Sequence, residues 1–146
     1  MLIMKRVLFA CAENAGSCHM AAAFFNHMTN PANVQAVSAG TRSIDKLHPE
    51  VIAAMREEGL ELSVAQSALL TEDSAQVDVL ITMGGADACA FVPGVLRSDW
   101  SVPDPEGQTP ERVREIRDEI RDRVWQLVAK QGWWRLRATS AQGLLR

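Results

Sequence analysis

The stretch VLFACAENAGSCHM, residues 7–20, holds most of the side chains in this chain that could do chemistry. Cys11 stands where a strand-like apolar run ends, and Asn14, Ala15, Gly16 and Ser17 follow before Cys18 opens a helix-like run. A helix N-terminus presents N–H groups without intrahelical acceptors and carries a positive partial charge. Small residues ahead of it let the backbone curl around an oxyanion. A cysteine aimed at such a ring of donors has a lowered pKa and becomes a nucleophile. Asn14 is suited to hold the loop by side-chain to backbone hydrogen bonds. The bland alternative makes Cys11 a small buried hydrophobe at a strand end. The loop itself contains no arginine or lysine, which is unexpected where an anion could sit.

A second candidate is Asp104, which precedes Pro105 in the polar stretch SVPDPEGQTP, residues 101–110. An aspartate there could donate a proton to a leaving oxygen. The alternative is a turn residue that only sets up the proline.

These residues need elements to position them. Residues 7–10 form a continuous apolar run of buried-strand type, with Lys5 and Arg6 at its exposed start. The alanine-rich run from Ser17 to about Met28 favours helix, and Asn30-Pro31 ends it. Val34–Ser38 reads as a second strand stopped by Gly40. Pro49 opens a helix after His48, with Gly59 as its C-terminal cap. Val77–Thr82 is a third strand, broken by Gly84-Gly85, and Trp100–Val102 reads as a short last strand. Val113, Ile116, Ile120, Val124 and Leu127 recur at helical spacing, predicting an amphipathic helix over 111–129. This alternation points to a parallel α/β sheet with helices on both faces. Ligands in such sheets bind at the carboxyl ends of strands, where Cys11 and Gly84-Gly85 both fall.

The chain has 146 residues, 47% of them hydrophobic, enough for one domain with a single core. Residues 1–130 form that domain, and 131–146 read as a partly ordered extension or as a docking segment built on Trp133 and Trp134. A formal charge of -3 argues against non-specific nucleic-acid binding. No apolar run approaches the ~20 residues of a membrane span, and MLIMKRVLFA reads as a strand rather than a signal peptide. A cytoplasmic location follows as the expectation. In a reducing compartment the three cysteines are thiols or soft-metal ligands rather than a disulfide scaffold.

VLFACAENAGSCHMAAAFF resembles the opening of arsenate reductases of the low-molecular-weight tyrosine phosphatase superfamily, whose pattern is Cys-x-x-Asn-Ala-Gly-Arg-Ser-Gln-Met. The likeness continues through VSAGTRSIDKLHPEVIAAMREEGLEL, VDVLITMGGADAC, DWSVPDPEGQ and VREIRDEIRDRV, covering roughly residues 5–129. It implies a four-stranded parallel sheet flanked by helices. It implies Cys11 as nucleophile, Asn14 as loop-shaping residue, Asp104 as general acid and Cys89 as a redox-active thiol. The substrate implied is arsenate or a similar oxyanion, with no bound cofactor. The electrons come from an external thioredoxin-, mycoredoxin- or small-thiol-type reductant.

The chain also departs from that pattern. Ser17 stands in place of the loop arginine, whose planar donors and fixed charge clamp the oxyanion. Losing one oxyanion donor costs about 3–4 kcal/mol of transition-state stabilisation. Cys18 replaces a serine or threonine that would bond the thiolate, and it adds a second sulfur near Cys11. His19 replaces a glutamine and reads as a surface helix histidine, or as a group that lowers the thiol pKa. Gly85 occupies a position where many relatives carry cysteine. Arg42, following Gly40-Thr41, is either a solvated loop residue or a substitute cation. Arsenate reduction through Cys11, resolved by Cys18, Cys89 or an external thiol, is the function implied. A binder that captures trivalent arsenic through Cys11, Cys18 and Cys89 is the alternative, with a phosphatase third.

Overall fold

The computed structural model describes residues 5–11, 16–40, 49–62, 77–83, 96–105 and 107–134, with the side chains of Cys11, Ala39 and Gly40 outside that description. Its elements run β1 (Lys5–Cys11), α1 (Ser17–Met28), β2 (Val34–Gly40), α2 (Pro49–Arg56), β3 (Val79–Thr82), β4 (Leu96–Asp99) and α3 (Pro110–Gln131). The strands form one parallel sheet in the order β2-β1-β3-β4. The α/β class, the four parallel strands and the first three predicted strand positions agree with the sequence reading.

Alternation sorts the strand residues between the two faces. Val7, Phe9, Val79 and Ile81 join α1, α2 and α3 in the main core, together with Met20, Phe25, Met55, Ile116, Ile120 and Val124. Leu8, Ala10 and Leu80 form a smaller buried cluster on the opposite face. Both faces of the two central strands are therefore out of water, which is why β1 and β3 read as unbroken apolar runs.

The last strand lies earlier than the sequence suggested. It is Leu96–Asp99, and Trp100–Val102 is irregular. This is an edge strand with mostly exposed residues, so its sequence LRSD carries neither an apolar run nor alternation. The ladder closes on Trp100, whose N–H donates to the Thr82 carbonyl at 2.7 Å. The indole then lies against Phe9, with ring centroids 5.7 Å apart.

α1 is fixed over the edge strand β2 by a side chain that imitates a strand. Asn26 Nδ2 donates to the Ala36 carbonyl at 2.9 Å, and the Ala36 N–H donates to Asn26 Oδ1 at 2.8 Å. α3 begins at Thr109, whose hydroxyl accepts from the Arg112 N–H at 3.2 Å, with Pro110 in the first turn. It ends at Gly132 with φ 72°, where the Trp133 N–H returns to the Val128 carbonyl at 3.0 Å. Of the predicted extension, Trp133 packs edge-on against Phe25 and Trp134 against Trp125, and Trp134 bridges Thr29. Residues 135–146 lie outside the described residues.

α2 is bound to α3 through Arg117, which is only 7% exposed. Its Nη1 donates to the Ala54 carbonyl at 3.0 Å and to Glu57 at 2.8 Å, and its Nε donates to Asp118 at 2.9 Å. Arg114 adds a two-pronged bond to the same Glu57. Replacing Arg117 with alanine strands a helix carbonyl and removes the cation between Glu57, Asp118 and, at 3.8 Å, Glu58. The Arg117→Ala variant should lose about 2–3 kcal/mol of stability in urea titration. Hydrogen bonds from Arg114, then from Arg117, hold the Glu57 carboxyl below its ordinary value of 4.5. A carboxyl whose pKa is depressed by folding adds stability above its unfolded-state pKa and loses it as pH falls through the folded value. The urea midpoint should therefore decline below about pH 4.5, and Glu57→Gln should flatten that decline.

Candidate functional site

The order β2-β1-β3-β4 reverses direction beside β1: the chain builds first to one side, then returns to lay β3 on the other. At such a reversal the connections leave the sheet in opposite directions and open a crevice at the carboxyl ends of the two strands. Cys11 is the last residue of β1, paired with Gly40 of β2. Beyond Thr82 of β3, the Met83 N–H donates to the Ala10 carbonyl at 2.8 Å, so the exit of β3 lies beside Cys11. The catalytic candidate thus stands at the crevice.

The crevice also receives the N-terminus of α1. Gly16 is its N-cap residue, and it supplies no side chain to cap the first turn. No acidic side chain occupies that turn. The positive end of the helix is therefore not neutralised from within its own first turn. Ser17 is buried, and Cys18 is fully buried within the main core. The sulfur of Cys18 thus packs as a core side chain one residue into the helix.

The loop after β4 closes the third side. A Cβ added to Gly16 would lie 2.7 Å from Pro105 Cγ and 3.6 Å from Val51 Cγ2. Only a residue without a side chain permits this approach of Pro105 and α2 to the loop backbone. Pro105 is buried and Asp104 beside it is exposed, so the carboxylate sits on the solvent side of that contact. Two hydrogen bonds shape the loop: Gln108 Nε2 to the Asp104 carbonyl at 3.2 Å, and the Gln108 N–H to the Pro105 carbonyl at 3.2 Å. Its entry is held by Trp100 on Phe9, which also meets Phe25 of α1 at 5.9 Å. On the edge of the sheet, Thr82 Oγ1 donates to Asp99 Oδ1. That bond, then Arg97, holds the Asp99 carboxyl below the usual aspartate range.

The structure corrects His19. It is 2% exposed rather than on the surface. Its Nδ1 lies 3.3 Å from Ser38 Oγ, at the carboxyl end of β2. The first turn of α1 faces β2 there, so the imidazole is enclosed between helix and sheet. A histidine on a helix is usually read as a surface residue, and only the packing of α1 on β2 shows otherwise.

Among the site residues read from the sequence, Gly16, Ser17, Cys18 and Asp104 are described, with the backbone of Cys11. Asn14, Ala15, Cys89, Gly85 and Arg42 lie outside the described residues. The sequence reading missed Glu50. Its Oε2 accepts from the Gly107 N–H at 3.3 Å, reaching from α2 to the Asp-Pro loop. A glutamate after proline at a helix start reads only as a favourable first-turn acid, so no sequence signal marked it.

A strand-end cysteine, a helix N-terminus and an Asp-Pro loop held against a glycine make one constellation, and residues 6–133 match the low molecular weight phosphotyrosine protein phosphatase family. The chain belongs to that family. Relatives include a glutaredoxin arsenate reductase of Synechocystis sp., 31% identical over 131 residues that cover 87% of this chain and 98% of the relative. Among solved structures, a thioredoxin-dependent arsenate reductase of Corynebacterium glutamicum is 34% identical with a TM-score of 0.74. The match covers 87% of this chain but 61% of that longer one. An arsenate reductase in an oxidized state has a TM-score of 0.75 at 30% identity, covering 87% of this chain and 98% of that one.

The Gly16–Pro105 contact generates a prediction. Gly16 has φ −150°, outside the left-handed region, and the close contact with Pro105 is what opposes its substitution. Gly16→Ala should push the Asp-Pro loop off α1 and lower stability by about 1–3 kcal/mol. Thermal unfolding would measure the loss, and a change in Trp100 fluorescence would report the loop's displacement.

Proposed function

We propose that this family member reduces arsenate to arsenite with electrons from thiols. The Cys11 thiolate attacks the arsenic(V) centre, an As–S bond forms, and an arsenate hydroxyl leaves as water after taking a proton from Asp104. A second thiol then attacks the Cys11 sulfur. Its S–S bond forms as the As–S bond breaks, two electrons pass to arsenic, and arsenite departs. A redoxin-type reductant restores the thiols by exchange. The thioredoxin- and glutaredoxin-named relatives support that class of partner. Whether thioredoxin, glutaredoxin, mycoredoxin or a small thiol acts fastest is decided by comparing them in one turnover assay.

The observation that carries this reading is the approach of Pro105 to Gly16. It brings an exposed carboxylate to the helix end that follows the β1 cysteine. The full burial of Cys18 argues that it does not resolve the adduct while α1 keeps its first turn. Cys89 or an external thiol then takes the resolving role. Asn14, Ala15, Gly16 and Ser17 supply the oxyanion cradle through their backbone.

The substitution at Ser17 favours a second reading. Without the guanidinium, the loop is a weaker clamp for a doubly charged oxyanion. Trivalent arsenic, which binds thiolates and needs no such clamp, then becomes the ligand of Cys11 with other thiols. Arsenite binding without arsenate turnover is its signature.

Two outcomes are expected. Cys11→Ser should abolish arsenite release from arsenate in the presence of a thioredoxin or glutaredoxin system, and undiminished release would reject the mechanism. Ser17→Arg should raise kcat/KM for arsenate by about 10²-fold, the scale of one oxyanion donor. An aryl phosphate assayed in parallel distinguishes phosphatase activity, which should stay at background in the natural chain.

A further inference from the structure

We infer that Glu50 is a positioning residue that latches the Asp104–Pro105 loop over the N-terminus of α1. This inference rests on the role proposed for Asp104. The Glu50 carboxylate accepts the Gly107 N–H at 3.3 Å across 57 positions of sequence. Gly107 sits at φ 75°, a left-handed conformation that turns the chain between Pro105 and the cap of α3.

Both ends of this latch are fixed in advance. Glu50 stands in the first turn of α2, and α2 is tied to α3 by Arg117 through the Ala54 carbonyl and Glu57. Gly107 lies two residues before Thr109, the N-cap of α3. The α2–α3 junction therefore sets the distance between acceptor and donor. Val51, next to Glu50, supplies the other wall against Gly16. One turn of α2 thus touches both the anion loop, through Val51, and the acid loop, through Glu50. An Asp-Pro loop without its latch keeps the Pro105 contact but gains freedom about Gly107, and a proton donor must sit within hydrogen-bond reach of its acceptor to act. Small misplacements of such a group cost rate rather than binding.

The test compares Glu50→Ala with Glu50→Gln in the full chain. Amide hydrogen exchange of Gly107, followed by NMR, reads the latch without any turnover. Glu50→Ala should accelerate it, and Glu50→Gln, which retains an acceptor oxygen, should stay near the natural rate. In arsenate reduction, Glu50→Ala should lower kcat by about tenfold with KM nearly unchanged, and Glu50→Gln should restore most of it. Unchanged Gly107 exchange in Glu50→Ala overturns the latch. Faster exchange with an unchanged kcat overturns its service to the reaction. A natural chain that turns over no arsenate would refute the activity itself, and the Gly107 exchange would still decide the latch.

Discussion

The close approach of the Pro105 ring to the backbone of Gly16 is the constraint on which the site depends. It joins two loops that are far apart in sequence, one ending β1 and one following β4. A side chain at 16 would separate them, because a proline ring has no conformer that withdraws far enough. The contact also settles which side of Asp104 meets water. Burial of the proline leaves the carboxylate outward, at the end of the helix whose amides would bear the substrate's charge.

The scaffold around that contact is built to hold position rather than to add bulk. Phe9 connects three parts at once, with Phe25 of α1 on one side and Trp100 of the loop on the other. Asn26 locks α1 to the backbone of β2, which fixes the helix along its axis. Arg117 spans α2 and α3 by bonding a carbonyl and carboxylates together. A buried guanidinium with satisfied donors gives directional restraint that apolar packing alone does not. Each of these ties acts on an element whose end borders the crevice.

On the resemblance read from the sequence, Ser17 stands where the family pattern carries its loop arginine, and such an exchange would change the balance of forces in the crevice. Main-chain N–H groups and the helix dipole are fixed and partial, whereas a guanidinium brings a full charge and two aligned donors. The stretch between Cys11 and Cys18 contains no arginine or lysine, so an anion there would rest on contacts of the first kind. Cys18 follows in the first turn of α1, and the fold directs it into the core with Met20 and Phe25. Position 18 therefore presents no exposed thiol.

Much of the fold was legible in the residues themselves. Apolar runs marked β1 and β3, because strands buried on both faces have no polar alternate, whereas β2 alternates buried and exposed residues as an edge strand does. The spacing of Val113, Ile116, Ile120 and Val124 marked α3, and the structure added its caps at Thr109 and Gly132. The motif around Cys11 made it the candidate nucleophile, at the end of β1 and ahead of α1. What only the tertiary structure decided were facts about partners distant in sequence. β4 escaped notice because an exposed edge strand is defined by its neighbour's hydrogen bonds, not by its own pattern. His19 is buried because β2 passes in front of it, and Glu50 matters because Gly107 is brought to it from 57 positions away. Periodicity and turn chemistry report the forces a residue exerts on its near neighbours along the chain. Which distant backbone a glycine admits, or which amide a carboxylate accepts, is set by the packing of whole helices, and that is written in three dimensions only.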